Sequence, residues 1–198
     1  LPGIEVKIGA DNEILVKSPT VMRGYYNKPE ETAAVFTPDG FFRTGDAGYF
    51  DQQGALVLTE RIKDLFKTSN GKYIAPQAIE SRLGEDKYIE QVAVIGDNRK
   101  FVTAIIVPAI EALKEYASRK KIRYRNLDEL LSNPRVRELI GNRIEALQEG
   151  LASFEKIKKF TLLPKEFTME AGELTNTLKI RRPVINRHYA SQIEAMYA

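Results

Sequence analysis

A lysine in a polar loop is the first candidate for chemistry. Lys179 stands near the end of the segment ELTNTLKIRR, residues 173–182, after two threonines and before Ile180 and two arginines. An ammonium group on a loop is a compact positive charge that can contact carboxylate and phosphate oxygens. A charged loop is more often a solvent-facing surface, so a functional interpretation of Lys179 needs support from other segments of the chain.

A carboxylate is the second candidate. Asp46 lies within FFRTGDAGYFD, residues 41–51, directly after Gly45. The pattern predicts a glycine-relaxed turn between two strands, where the carboxylate oxygens could accept paired hydrogen bonds, for instance from the adjacent hydroxyls of a ribose. A carboxylate that caps its own turn is the alternative interpretation.

A basic segment, ERIKDLFKTSNGKYIAP, follows over residues 60–76 around an Asn-Gly pair. It suits a phosphate-rich ligand and equally suits a solvent-facing hairpin. It lacks the Gly-Lys-Ser/Thr signature of a Walker A loop. A second basic run, KKIRYR at residues 120–125, could contact nucleic acid, although a solvated loop between helices is the more common reading. The cations of the first segment are Arg61, Lys63, Lys67 and Lys72.

Composition narrows the function classes. The 198 residues carry 30 lysines and arginines against 27 acidic residues, so the net charge of +3 does not demand a general polyanion-binding role. The absence of cysteine and the single histidine, His188, argue against disulfides and a zinc site and agree with a reducing cytosol. We interpret His188 as a surface residue of a helix. No apolar run approaches the roughly 18 residues of a membrane span.

Two kinds of structure must position these residues. Between Ile4 and Thr59 apolar residues alternate with polar ones, which predicts antiparallel strands. One helix interrupts them, with Asn27 as its cap and Pro29 in its first turn. The rest of the chain alternates between strand and helix patterns and ends in one amphipathic helix that begins at Arg181.

The sequence therefore predicts an α+β protein with two parts. The first is a small antiparallel β-subdomain over residues 1–62. The second is an α+β domain over residues 63–198, in which helices flank a central sheet. Because the chain begins without an initiator methionine or a leader pattern, we interpret it as a fragment of a longer protein.

Four segments, taken together and in order, resemble successive core motifs of the adenylate-forming superfamily, which comprises acyl-CoA synthetases, luciferases and peptide-synthetase adenylation domains. The four are VMRGYYNKPEETAAVF, GFFRTGDAGYFD, ERIKDLFKTSNGKYIAPQAIE and ELTNTLKIRR. The resemblance covers essentially the whole chain. Within the superfamily, KTSNGKYIAP, LASFEKIKKFTLLPKEFT and the helical segment between Pro108 and Leu151 are similar to the bacterial long-chain fatty acid–CoA ligase branch.

The resemblance implies an ATP-dependent, AMP-forming ligase that adenylates a fatty acid and then, after a domain rotation, forms a thioester with CoA. The chain would supply the last β-subdomain of the large domain and the small mobile domain. Its expected partners are the fatty acid, ATP, CoA and the N-terminal domain of the same protein, and the fragment alone is expected to be inactive. Mg²⁺ is implied through the triphosphate, with its ligands outside these residues, and no nucleic acid partner is expected.

The resemblance also implies residue roles in the first half-reaction and in the rotation. Lys179 matches the catalytic lysine, and Asp46 matches the aspartate that holds the ribose hydroxyls. Arg61 matches a second ribose or phosphate contact. Lys63 matches the hinge about which the small domain turns.

A second loop is implied in the thioester-forming arrangement, where the segment containing Lys67 and Gly71 would enter the site and approach the pantetheine of CoA. The expected location is the cytoplasm, with peripheral contact at the inner membrane left open. Three other functions were weighed: a basic module that binds nucleic acid or phosphate, a non-catalytic interaction domain, and a luciferase-like oxygenase.

Overall fold

The alternating pattern at the start of the chain forms an antiparallel sheet. The computed structural model describes residues 3–198, and the chain divides between Leu65 and Phe66 into two compact units, here called unit 1 and unit 2. The division lies three residues after the predicted boundary that follows residue 62. In chain order, unit 1 contains β1 (Glu5–Ile8), β2 (Glu13–Lys17), α1 (Pro29–Ala34), β3 (Phe42–Phe50) and β4 (Leu56–Arg61). The strands lie in sequence order, and each pairs antiparallel with the next.

The helix of unit 1 begins later than the sequence predicts. Asn27, the predicted cap, has a left-handed φ of 52° and lies outside the helix, whereas Lys28 precedes the first helical residue and makes no side-chain cap. Thr32 reaches back instead, because its hydroxyl donates to the Lys28 carbonyl oxygen (2.7 Å) and accepts from the Tyr25 amide (2.9 Å). The prediction of Asn27 as the cap is wrong, since a side chain inside the helix holds its first turn.

Strands and helices alternate in unit 2, as the sequence predicts. Its elements are β5 (Phe66–Lys67), β6 (Tyr73–Ile74), α2 (Pro76–Leu83), β7 (Ile89–Ile95), β8 (Val102–Pro108), α3 (Ile110–Arg119), α4 (Leu127–Ser132), α5 (Pro134–Leu147), β9 (Ile157–Leu162), α6 (Arg182–His188) and α7 (Ala190–Tyr197). The central sheet has the order β7-β8-β9, with β7 antiparallel and β9 parallel to β8, and β5 and β6 form a separate hairpin. No helix within residues 3–198 has both the length and the apolar character that a membrane crossing needs.

Both faces of the central sheet are covered, because side chains alternate along β8. Val102, Ala104 and Ile106 belong to the core that this sheet forms with α2, α3, α4 and α5. Ile105 and Val107 belong to a second core, on the opposite face, with α6 and α7. All five side chains are at most 1% exposed, and burying one valine or isoleucine contributes roughly 1.5–3 kcal/mol. The predicted α+β class, with helices flanking a central sheet, is confirmed.

The predicted terminal helix is two helices. α6 and α7 are separated at Tyr189, whose φ of −111° and ψ of 27° depart from helical values. The Tyr189 hydroxyl donates to Glu173 (2.9 Å), and its ring lies 5.8 Å from the Phe167 ring, centroid to centroid. These contacts hold Tyr189 at the break and connect the end of α6 to the segment that precedes the Lys179 loop.

Candidate active site

Asp46 is positioned by a bulge in β3. Between the pairs Glu13↔Ala47 and Leu15↔Arg43, β2 advances by two residues and β3 by four, so residues 44–46 form extra length within a continuous strand. The prediction of a turn between two strands is therefore wrong. A local kink replaces it because the Thr44 hydroxyl donates to the Ile14 carbonyl oxygen (2.7 Å), and Gly45 adopts a φ of 71°.

The bulge sets Asp46 opposite Arg61 on β4. The Arg61 Nε and the Asp46 Oδ1 form an ion pair at 3.1 Å, and the two side chains are 66% and 29% exposed. An ion pair this open to solvent typically contributes about 0–1 kcal/mol. Both groups can therefore exchange this contact for a ligand at small cost, the carboxylate as an acceptor and the guanidinium as a donor.

Lys63 lies in the short link after β4. Residues Ile62–Asp64 form a single 3₁₀ turn, which the Leu65 amide closes by donating to the carbonyl oxygens of Arg61 and Ile62, both at 3.2 Å. The Lys63 side chain is exposed, and within residues 3–198 its ammonium group has no hydrogen-bond or ion-pair partner. A single turn can change direction through a few backbone dihedral angles.

Lys67 and Gly71 occupy one tight hairpin between β5 and β6. The Thr68 amide donates to the Lys72 carbonyl oxygen (2.9 Å), and the Gly71 amide donates to the Thr68 carbonyl oxygen (2.8 Å). Gly71 has a φ of 76°, which favours glycine, although a Cβ there would meet Lys67 only at an ordinary 3.7 Å. The Lys67 ammonium is exposed and lies 5.2 Å from the Tyr73 ring centroid.

Lys179 is carried by a second hairpin, here called the Lys179 hairpin, over residues 174–180. Leu174 and Ile180 form an antiparallel bridge. Inside it, the Thr175 amide donates to the Lys179 carbonyl oxygen (2.9 Å), and the Lys179 amide donates to the Thr175 hydroxyl (3.1 Å). The threonine-rich composition of this loop is thus structural, since Thr175 closes the turn with its backbone and its side chain.

The Lys179 ammonium group is exposed and unneutralised. Within the described part of the chain, it has no carboxylate, carbonyl or aromatic partner. The residue lines a cavity of about 430 Å³ in unit 2, which also includes Gln77 of α2 and Glu90 of β7. A lysine with no partner in its own unit is free to supply its charge to a ligand.

The base of the hairpin is held on one side by Glu173. This carboxylate is buried and accepts from the Thr168 amide (3.1 Å) and the Tyr189 hydroxyl (2.9 Å), and it lies 3.0 Å from the His188 Nδ1. The Glu173 carbonyl oxygen accepts from the Arg181 amide across the hairpin (2.8 Å). His188 is therefore a helical residue with an exposed side chain, as predicted, and it also contacts a buried carboxylate.

Two pKa values follow from this network. Desolvation raises the pKa of Glu173, but the hydrogen bonds from His188, Thr168 and Tyr189 outweigh it, so the pKa lies below its ordinary value. Burial, together with the hydrogen bond to Glu173, raises the pKa of Tyr189 to about 12. The network therefore holds an ionised carboxylate next to a neutral tyrosine at physiological pH.

The other side of the base is held by Arg182. Its Nη2 lies 2.5 Å from both carboxylate oxygens of Glu80 on α2, and its Nε donates to the Val94 carbonyl oxygen of β7 (3.3 Å). Glu80 in turn accepts from the Val94 amide (2.8 Å). Desolvation raises the pKa of Glu80 despite the attraction of Arg182. The base of the Lys179 hairpin is thus fixed to both α2 and the central sheet.

A comparison with known protein families shows which family has this arrangement. Residues 63–198 match the model of the family described as AMP-binding enzyme C-terminal domain. The chain belongs to this family. The matched range of the AMP-binding enzyme C-terminal domain contains Lys63, Lys67, Gly71 and Lys179. Asp46 and Arg61 precede this range.

Curated relatives of this AMP-binding enzyme C-terminal domain match over nearly the whole chain. The long-chain-fatty-acid–CoA ligase FadD15 of Mycobacterium tuberculosis is 35% identical over 198 residues, which are 100% of this chain and 33% of that protein. Human long-chain-fatty-acid–CoA ligase 1 is 35% identical over 191 residues, 95% of this chain and 27% of that protein. The chain spans about a third of the length of such relatives.

Solved structures agree with the family. The adenylation domain of a carboxylate reductase from Mycobacterium chelonae matches with a TM-score of 0.72 and 30% identity, over 99% of this chain and 31% of that one. The A-PCP didomain of a carboxylic acid reductase from Segniliparus rugosus, in complex with AMP, matches with a TM-score of 0.72 and 28% identity, over 100% of this chain and 28% of that one.

The structure brings some of the predicted site residues of this AMP-binding enzyme C-terminal domain together. Asp46 and Arg61 are in contact in unit 1, and Lys67 shares one hairpin of unit 2 with Gly71. Lys179 lies in a different hairpin of unit 2. The predicted site roles remain predictions. The residues that hold the Lys179 hairpin, Glu173, Glu80 and Arg182, were missed because their partners are distant in sequence and single charged residues give no spacing signal.

Proposed function

We propose that this chain is the C-terminal part of an ATP-dependent, AMP-forming long-chain fatty acid–CoA ligase. In the first half-reaction the fatty acid carboxylate attacks the α-phosphorus of ATP, forming acyl-AMP and releasing pyrophosphate. In the second, the CoA thiol attacks the acyl carbon, forming the thioester and releasing AMP. The observation that carries the proposal is the unpaired Lys179 ammonium on its anchored hairpin, in a chain similar over its length to long-chain-fatty-acid–CoA ligases.

Lys179 would act by charge and position in the first half-reaction. The attack brings an anionic carboxylate to an anionic phosphate, so a positive charge between them lowers the barrier. Its ammonium is available because no group of the described chain neutralises it. One such contact in a charge-stabilising site is worth about 3–4 kcal/mol of barrier. The hairpin base would hold the lysine in place through Glu173 and Arg182.

Asp46 and Arg61 would bind the nucleotide. A carboxylate offers two acceptor oxygens that match adjacent ribose hydroxyls, and a guanidinium offers donors for a hydroxyl or a phosphate. Both side chains are open to solvent and held by a weak mutual contact. This donor and acceptor set supports ATP and AMP as ligands.

The CoA step would use the other hairpin of unit 2. Lys63, in its single turn, is the proposed hinge, and rotation about it would replace Lys179 by the hairpin of Lys67 and Gly71. Mg²⁺ would accompany ATP as a substrate ion. Within residues 3–198 there is no group of three or more His, Asp or Glu side chains suited to hold a metal.

The role of Lys179 is tested in the full-length parent protein with Lys179→Ala. Fatty-acid-dependent pyrophosphate release should fall by about two to three orders of magnitude, whereas CoA attack on supplied acyl-adenylate should persist. Lys165→Ala, at an exposed lysine of unit 2 outside the hairpin, is the matched control. Equal loss of both half-reactions in Lys179→Ala would contradict this role.

A carrier-bound acceptor is the second candidate. The specific observation in its favour is the TM-score of 0.72 to the A-PCP didomain of a carboxylic acid reductase. Both candidates share the adenylation step and differ in the thiol that receives the acyl group. Supplying the full-length protein with fatty acid, ATP and either free CoA or a phosphopantetheinylated carrier protein separates them, since only the true acceptor releases AMP in step with thioester formation.

We further propose a cytoplasmic location with peripheral contact at the inner membrane, because long-chain fatty acids reside in lipid. Fractionation of cells that contain the full-length protein tests this. Recovery partly with membranes, and release by salt, is expected. Recovery that requires detergent would contradict peripheral contact.

A further inference from the structure

A groove, here called the β9 groove, lies in unit 2 and is lined by residues of α5, β9 and α7. Its volume is about 450 Å³. Its charged lining consists of Arg137 of α5 and of Lys158 and Lys159 of β9, and no acidic residue of the described chain lines it. Phe160 and Met196 contribute apolar surface. The proposed ligase mechanism uses none of these residues.

The β9 groove follows an open edge of the central sheet, because β9 pairs with β8 alone. Directly after the strand, the Leu163 amide donates to the Ile106 carbonyl oxygen of β8 (2.8 Å). Backbone groups of successive residues point to opposite sides of a strand, so those of Phe160 and Leu162 point away from β8. Within residues 3–198, one side chain bonds the backbone of these two residues: the Arg137 Nη2 donates to the Phe160 carbonyl oxygen at 3.4 Å.

The three cations of the β9 groove are not paired with carboxylates. Their side chains are exposed, and within the described residues none of them has a carboxylate side chain as its partner. The Arg137 Cζ lies 5.4 Å from the Phe160 ring centroid, and the Lys159 ammonium donates to the main-chain oxygen of Ala198 (3.2 Å). Positive charges on a concave surface without acidic neighbours attract an anionic ligand.

The strand edge selects among anionic ligands. Its outward N–H and C=O groups match the backbone of another extended peptide, and neither a nucleic acid nor a lipid headgroup offers such a repeat. Phe160 is partly buried and Met196 is 5% exposed, so both are fixed surfaces against which apolar side chains of a peptide can pack. Pairing of this edge with a second copy of itself would place like charges together, which is unfavourable.

We propose that the β9 groove binds an acidic, extended segment of a partner protein, which adds to the central sheet as a fourth strand beside β9. Hydrogen bonds to the outward backbone groups of Phe160 and Leu162 supply affinity. Carboxylates of the segment face the three cations and supply specificity. This partner site is independent of the ligase reaction.

The test is a titration of the full-length protein with a capped heptapeptide of alternating glutamate and valine, followed by calorimetry. A fully N-methylated form of the same peptide keeps the side-chain charges and removes every backbone donor. The groove variant is Arg137→Gln/Lys159→Gln. The charge-matched control is Arg123→Gln/Lys165→Gln, at two exposed residues of unit 2 outside the groove.

Saturable binding of the heptapeptide supports the proposal if N-methylation and the groove variant each weaken it by at least about tenfold and the control does not. Equal binding of the N-methylated peptide would show that no strand is added and overturn the proposal. Equal weakening in both variants would indicate general charge attraction and overturn it as well. Absence of saturable binding would have the same consequence.

A single-stranded oligothymidylate, titrated in parallel, represents nucleic acid. If the groove variant abolishes binding of the oligonucleotide, and the heptapeptide does not bind, the groove is a nucleic acid site and the proposal is overturned. Fatty-acid-dependent pyrophosphate release should be the same in the groove variant and the parent protein. Failure here leaves the ligase proposal untouched, because that proposal rests on pyrophosphate release and Lys179.

Discussion

At the residue scale, the position of the exposed Lys179 ammonium depends on the buried carboxylate of Glu173. Lys179 has no partner of its own, so its position is decided by the base of its hairpin. Glu173 fixes that base with a carboxylate that accepts from Thr168 and Tyr189 and contacts His188. A buried carboxylate is tolerated only when it is hydrogen-bonded, and here its partners come from the elements on either side of the hairpin. Glu173 is therefore a positioning residue for Lys179.

Glu173→Gln is predicted to lower the free energy of unfolding by about 1–3 kcal/mol at neutral pH, because neutral glutamine replaces an ionised acceptor. The pKa of Glu173 is lowered by folding. Its contribution is thus present above the unfolded pKa of about 4.3 and is lost as the pH falls through the folded pKa. Urea unfolding as a function of pH should show the parent and the variant converging in acid.

Glu170→Gln, at an exposed glutamate three positions earlier, is the control and should change stability little at any pH. A constant difference between the parent and Glu173→Gln across the pH range would contradict the charge-based explanation. In the full-length protein, a positioning role also predicts a lower rate of pyrophosphate release with unchanged CoA attack on supplied acyl-adenylate.

At the element scale, side chains bond the backbone of one residue, Val94, on the open edge of β7. Glu80 and Arg182 bond the Val94 amide and carbonyl oxygen. Earlier in the same strand, the Gln91 carboxamide accepts from the Phe167 amide (2.6 Å) and donates to the Phe167 carbonyl oxygen (3.1 Å). Unpaired edges invite pairing with other chains, and at Val94 this edge is bonded by two side chains, of which Arg182 also fixes the Lys179 hairpin.

Arg182→Met is predicted to lower the free energy of unfolding of unit 2 by about 3 kcal/mol, because it leaves Glu80 buried without its partner. The two side chains are 18% and 11% exposed. Adding Glu80→Gln should restore part of the loss, since the charge without a partner is then removed. Urea unfolding of both variants measures this, and Arg181→Met, at the exposed neighbouring arginine, is the control. A double variant less stable than Arg182→Met would refute the charge argument.

At the scale of the whole molecule, one short turn connects two units that carry different residues with predicted site roles. Asp46 and Arg61 lie before the link and Lys179 after it, with Lys63 in the link itself. Unit 1 has one sheet and unit 2 has two, and no sheet is shared between the units. A protein that must present two different hairpins in succession can use such a link as its hinge.

Lys63→Pro in the full-length protein is predicted to retain fatty-acid-dependent ATP–pyrophosphate exchange and to lose thioester formation with CoA. Proline fixes φ and restricts the residue before it, so the link cannot rearrange. Lys63→Ala removes the charge and keeps the backbone freedom, and it should retain both half-reactions. Normal CoA turnover by Lys63→Pro would show that the hinge lies elsewhere.

The patterns of period two and of helical spacing were sufficient for most elements, because each apolar run must bury one face. They failed at positions where contacts with residues distant in the chain override the local pattern. Gly45 suggests a turn by composition, yet pairing of β3 with β2 on both sides of it makes a bulge. The helical spacing of the terminal segment is continuous, yet it breaks at Tyr189, where Glu173 and Phe167 provide contacts from outside the helix.

By itself, the sequence determined the α+β class and the alternation of strand and helix patterns, since periodicity is a local property. The site residues come from the resemblance of four motifs to a known superfamily, and their roles stay predictions. Only the tertiary structure decided that Glu173 and Arg182 hold the base of the Lys179 hairpin. These are contacts between residues far apart in the chain. Their partners are chosen by sheet register and helix packing, which no short segment encodes.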